Sequence, residues 1–203
     1  MPPAREITKS KQLLVEGRDA EIFFQAFLNQ LGLSDFQIQN FGGISELRPF
    51  LKALSITPDF TSIVTSVGII RDAESNASNA FRSACGALER VGLDVPHQPL
   101  TPTTGNPLVN ICILPCNEVS GMLETLCLQT VIHDPAMMCI EQYFQCLERQ
   151  LGKLPGNLPK AKIQAFLASR NKSGLRLGEA AHKGYWIWSS PVLEPVKDFL
   201  QSL

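Results

Sequence analysis

Along the chain, short β-branched or aliphatic runs alternate with segments whose apolar residues recur every three or four positions. The run over residues 11–15 ends at Glu16-Gly17. From Asp19, a candidate N-cap, Ile22, Phe23, Ala26, Phe27 and Leu31 mark the apolar face of a helix. A second strand is expected over 36–41, followed by Gly42-Gly43 and a helix over 45–54. A third run, 62–70, closes in Arg71-Asp72-Ala73-Glu74 and leads into a helix over 77–91. Residues 93–107, rich in Pro and Thr, read as a connecting loop, and 109–114 as a fourth buried strand. A polar loop over 115–120 and a helix over 121–132 follow. Further helices are expected over 135–151, 159–169 and 191–203, with a Gly- and Trp-containing stretch over 175–188. Strands alternating with helices specify an α/β fold: a Rossmann-like, mainly parallel four-stranded sheet with helices on both faces, plus a helical C-terminal extension. The division expected is an α/β domain over 1–134 and a helical extension over 135–203 packed on it as one globular unit.

This pattern changes the meaning of the acidic residues. Glu16 and Asp72 each stand where a strand gives way to a helix, the edge at which open α/β sheets bind ligands. Glu74 lies two residues past Asp72, so in extended chain both side chains would point the same way. Glu124, in the first turn of the 121–132 helix, is a fourth candidate acid, or simply a favourable charge at a helix N-terminus. Carboxylates gathered on one rim form a hard-oxygen site of the kind Mg²⁺ or Mn²⁺ prefers. Gly42-Gly43, ahead of the next helix, reads as a tight strand-to-helix turn or a backbone approach to phosphate.

Val15-Glu16-Gly17 with the acidic, aromatic helix behind it, followed by Asp72-Ala73-Glu74, resembles the Toprim domain. The resemblance covers roughly residues 11–131. It is closest to small stand-alone bacterial Toprim-like proteins of unassigned function and to the Toprim part of overcoming-lysogenisation-defect nucleases. It implies a Mg²⁺-dependent phosphoryl-transfer enzyme, most plausibly a nuclease, a hydrolase of phosphodiester bonds. Asp72 and Glu74, with Glu124, would hold the metal; Glu16 would complete its coordination or act as general acid/base. A downstream lysine (Lys160, Lys162 or Lys183, with Lys162 taken as the catalytic candidate) would offset developing negative charge. Related nucleases work with an ATPase, so an ATPase partner protein is also implied. Ala20, where the nuclease branch has an acid, and Glu74 as the last acid leave an alternative open: a catalytically inactive Toprim-like module that binds a partner protein or nucleotide.

Composition sharpens the partner question. The net charge of −1 conceals an asymmetry: residues 149–183 hold eight Lys or Arg and one acid, and the remainder carries a net of −8. Nucleic-acid binding is therefore expected through 149–183 rather than through the whole surface. The Tyr185-Trp186-x-Trp188 cluster reads as base-stacking or, more simply, as packing of the C-terminal helix. Six cysteines without a Cys-x-x-Cys pair are expected as buried thiols. Without an apolar leader or a run long enough to span a bilayer, a cytoplasmic protein with no membrane partner is expected.

Overall fold

The computed structural model describes residues 6–116 and 119–203. Four strands, β1 (Lys11–Glu16), β2 (Phe36–Gly42), β3 (Ser66–Asp72) and β4 (Leu108–Leu114), form one parallel sheet in the order β2-β1-β3-β4. The chain runs from β1 outward to β2, then returns to the other side of β1, so the strand order reverses between β1 and β3. At such a switch point the connections diverge and leave a crevice beyond the carboxyl ends of the strands.

Alternation along the strands divides the core between the two faces of the sheet. Leu13, Val15, Ile70, Cys112 and Leu114 pack under α1 (Arg18–Leu31) and α5 (Leu123–Thr130). Leu14, Val67, Ile69, Val109, Ile111 and Ile113 pack under α2 (Leu47–Ser55), α3 (Phe60–Ile63) and α4 (Ala77–Glu89). The later helices, α6 (Pro135–Leu151), α7 (Leu158–Ala168), α8 (Leu177–His182) and α9 (Glu194–Gln201), share the apolar cluster of α1 and α5. Gly68 makes room for α9, because a Cβ there would stand 3.1 Å from Phe199 Cζ. Among the described residues, no helix is long and apolar enough to cross a membrane.

Several sequence expectations are corrected. The 62–70 run divides: Phe60–Ile63 is one helical turn entered through Asp59 at φ 68°, and β3 begins at Ser66, where its partners Lys11 and Leu108 begin. Residues 62–64 have no neighbouring strand to pair with, which is why their β-branched character does not make them strand. A 3₁₀ turn, Ile44–Glu46, precedes α2, and another, Pro191–Leu193, precedes α9. The 93–107 segment is more than a connector. The Leu100 and Thr103 N–H groups donate to the Ile111 and Val109 carbonyls at 2.9 Å, covering the outer edge of β4. Cys139 and Cys146 are exposed rather than buried, because α6 turns Met137, Ile140 and Phe144 inward. In the polar loop expected over 115–120, Asn117 and Glu118 lie outside the described residues.

Candidate active site

β1 ends because the chain must turn sharply at Gly17, whose φ of 86° suits a residue without a Cβ. Asn40 of β2 holds this corner: its Oδ1 accepts from the Gly17 N–H at 3.0 Å and from the Gly42 N–H at 2.8 Å. Glu16 therefore stands opposite Gly42 in the sheet register, at the carboxyl edge. Asn40 is a positioning residue that pattern reading passed over. An amide side chain just before the Gly-Gly corner was the available signal.

β3 delivers Asp72 to the same edge, beside Glu16 across the switch point. Asp72 Oδ1 accepts from the Leu123 N–H at 2.9 Å, so this carboxyl satisfies one of the free amides at the start of α5. Glu74 departs from the extended geometry expected of it. It adopts φ 52° and forms an isolated antiparallel bridge with Gly121, in which each N–H donates to the other's carbonyl at 2.8 Å. The reason is local: β3 stops at Asp72 and the chain must turn toward Asn76, whose side chain caps α4 by accepting from the Asn79 N–H. Asp72 and Glu74 are thus neighbours on one rim without sharing one strand face.

The two strand-end acids lean to opposite faces. Glu16 follows the parity of Leu14, toward α2 and α4, where it meets Arg71. Arg71 is only 4% exposed, and its Nη1 donates to the Ala80 carbonyl of α4 at 3.2 Å. Its Nε lies 4.0 Å from Glu16 Oε2, too far for a hydrogen bond, and both of those buried atoms lack a hydrogen-bond partner. Burial pushes the Glu16 carboxyl up, Arg71 opposes this, and Glu74 adds to it. Burial also lowers Arg71, against the pull of Glu16, Asp72 and Glu74. Asp72 is pushed furthest, up to about 8, by burial first and then by Glu16, Glu124 and Glu74, against the Leu123 N–H. The other three predicted acids therefore all act on Asp72, Glu74 acts on Glu16 as well, and among the described residues the single buried counter-charge is Arg71.

Asp19 is not the cap of α1, which begins at Gly17 and Arg18. Its Oδ1 instead accepts from the Gly178 N–H at 3.1 Å and draws the start of α8 to the rim. The start of α7 arrives there too, with Asn157 Nδ2 donating to Met122 Sδ at 3.5 Å and Lys160 exposed in its first turn. Lys162 is engaged elsewhere: its Nζ donates to Glu141 of α6 at 2.7 Å. Lys183 is exposed just past α8. The aromatic cluster is packing. Trp186 is 1% exposed, stacks on Phe166 and donates to the Leu177 carbonyl at 3.1 Å, and Trp188 stacks on Phe27.

The donor set suits a hard divalent cation. It offers carboxylate oxygens only, one of them buried without a partner, in a cluster where burial first and then the neighbouring acids raise Asp72 toward neutrality. Among the described residues, no three Asp, Glu, His or Cys side chains already converge as a cage. Mg²⁺ does not require one, since it commonly keeps several waters and takes only one or two carboxylates together with substrate phosphates.

Residues 10–203 match the family described as protein of unknown function (DUF3226), and the chain belongs to that family. No curated protein matches it. Among solved structures it is similar to the C-terminal region of the Xanthomonas campestris pv. campestris OLD protein. A mercury-phased structure of that region shows 13% identity, 96% of each chain covered and a TM-score of 0.47. A platinum-phased one shows 15% identity, with 95% of this chain and 91% of that chain covered and a TM-score of 0.47.

Proposed function

We propose that this member of the family is a divalent-cation-dependent phosphoryl-transfer enzyme of Toprim type, a nuclease acting on phosphodiester bonds. The observation that carries this reading is the pair of strand-end carboxyls that flank the switch point: Glu16, whose Oε2 is buried without a hydrogen-bond partner, and Asp72, raised to about 8. A carboxylate pair that a fold keeps short of compensating charge is matched to a cation that arrives with the substrate. The resemblance of Val15-Glu16-Gly17 and Asp72-Ala73-Glu74 to the Toprim pattern points the same way.

In this reading Glu16 and Asp72, with Glu74 and Glu124 beside them, would hold Mg²⁺ or Mn²⁺, which would neutralise phosphate charge and polarise a phosphoryl oxygen. The chain's own contribution is positioning. Arg71, tied to Ala80, limits where Glu16 can move, and the Leu123 N–H orients Asp72. Asp72 holds a proton near neutral pH and yields it when positive charge arrives, so cation affinity rises with pH. Lys160, exposed beside the start of α5, is better placed than Lys162 to meet a phosphate at the rim.

The test is cleavage of single- and double-stranded DNA and RNA with Mg²⁺ or Mn²⁺, comparing wild type with Glu16→Gln and Asp72→Asn. The expected result is metal-dependent cleavage lost by at least about a hundredfold in both variants. Absence of cleavage of every substrate by the wild type, with retained binding of nucleotide or protein, would instead support the inactive-module reading.

A further inference from the structure

Four cations outside the basic C-terminal segment meet in a groove between α2 and α4. One part of it, of about 490 Å³, is lined by Ile44, Arg48, Arg82, Gly86 and Arg90; a contiguous part, of about 630 Å³, adds Lys52 and Ile56. The spacing explains the convergence. Arg48 and Lys52 are one turn apart on α2, and Arg82, Gly86 and Arg90 are one turn apart each on α4. All four cationic side chains are exposed, and among the described residues none makes an ion pair. Arg82 donates to Asn79 on its own helix. Glu89, one turn from Gly86 and two from Arg82, flanks this row without lining either part of the groove, and it acts on Cys85. A Cβ added at Gly86 would meet nothing within 4 Å, so the floor of the groove is open.

The groove starts at the acidic rim. Ile44 and Ser45 follow directly on Gly42-Gly43, and Gly42 stands opposite Glu16 in the register. Glu16 also leans to the α2 and α4 face. From Arg82 to Arg90 the helix rises about 12 Å, the axial length of three to four phosphates of a stacked strand at about 3.4 Å each. The groove is the furrow above the seam of these packed helices, and its two parts, of about 490 and 630 Å³, are of the size that a few nucleotides of one strand fill.

We propose that the α2–α4 groove binds the phosphodiester backbone of a single nucleic-acid strand and leads it to the carboxylate rim. This deepens the phosphoryl-transfer reading and rests on it only for what happens at the rim. The sugar–phosphate chain supplies the repeated anions that two cations on each wall of a groove select.

The test is binding of fluorescently labelled 12-nucleotide DNA and RNA strands, by anisotropy, in EDTA across 50–200 mM salt. The proteins are wild type, Arg48→Ala/Arg90→Ala, Gly86→Leu and Lys160→Ala/Lys183→Ala, each checked for an unchanged melting temperature. For four phosphate contacts, log Kd should change with log salt with a slope near about 2.8, and the double arginine variant should lower it by about 1.4. That variant should weaken binding at least about tenfold at low salt. Gly86→Leu should weaken it without changing any charge, and the C-terminal lysine variant should change it less than the arginine variant. Unchanged affinity and slope in the arginine and Gly86 variants would overturn the proposal, as would inorganic phosphate competing at concentrations comparable to the strand. Equal affinity for a 12-base-pair duplex would overturn the single-strand assignment. Because the binding assay contains no metal, arginine-dependent binding there together with no cleavage in the separate Mg²⁺ and Mn²⁺ assays would sink the enzyme reading alone. Cleavage whose KM ignores the groove variants would sink the groove alone.

Discussion

Asp72 concentrates the chemistry of the rim in one titration. Its carboxyl titrates near 3.8 ordinarily and at about 8 in the folded protein, chiefly because it is buried and then because Glu16, Glu124 and Glu74 surround it. Between those values the folded chain keeps a proton that the unfolded chain has lost. Stability from this residue is therefore greatest below about pH 4, falls as pH rises through the window, and levels off above about 8. Asp72→Asn keeps an oxygen for the Leu123 N–H and removes the titration. In metal-free buffer its melting temperature should gain on wild type steadily from pH 5 to pH 8.5. A difference that stays constant across that range would show that Asp72 does not carry the raised pKa. At the same scale, sequence pattern singled out Glu16 and Asp72 because both close apolar runs. It missed Asn40 and misjudged the direction of Glu74, because a hydrogen bond to two amides and a left-handed backbone angle depend on neighbours far along the chain.

Among the helices, the contact of α8 with α1 decides whether the C-terminal part reaches the rim. Gly178 sits so close to α1 that a Cβ would lie 2.7 Å from the Asp19 carbonyl oxygen and 2.7 Å from Ile22 Cβ. The backbone cannot yield as a side-chain end would. Gly178→Ala should therefore cost about 1–3 kcal/mol of stability and lower the melting temperature by several degrees, despite the better helix propensity of alanine. An unchanged or raised melting temperature in thermal denaturation would show that α8 can shift off α1. The sequence marked 175–188 only as a Gly- and Trp-containing stretch and revealed neither the helix at Gly178 nor this approach, since a glycine looks the same in sequence whether it faces solvent or another backbone. It also overestimated β3, whose start is set by the length of β1 and β4 rather than by its own β-branched residues.

Across the whole molecule, charge is sorted by face and edge. Carboxylates gather at the carboxyl edge with Arg71 as their buried counter-charge, and unpaired arginines run down the α2–α4 groove from that edge. A cation bound only by the folded state should raise the melting temperature by mass action. Millimolar Mn²⁺ should do so more at pH 8 than at pH 6, because Asp72 must release its proton first, and Asp72→Asn should reduce the rise. No shift at millimolar metal would count against the rim as a cation site. The sequence by itself determined the alternation of strands and helices, and with it the α/β class and the placing of Glu16 and Asp72 at strand ends, because periodicity and chain reversal are local properties. Only the tertiary structure decided that the two acids flank the switch point, that Lys162 is taken by Glu141, that Trp186 is core, and that Arg48, Lys52, Arg82 and Arg90 line one groove. The physical reason is that strand order and helix packing join residues tens of positions apart, and no local pattern records which distant charges a fold will set side by side.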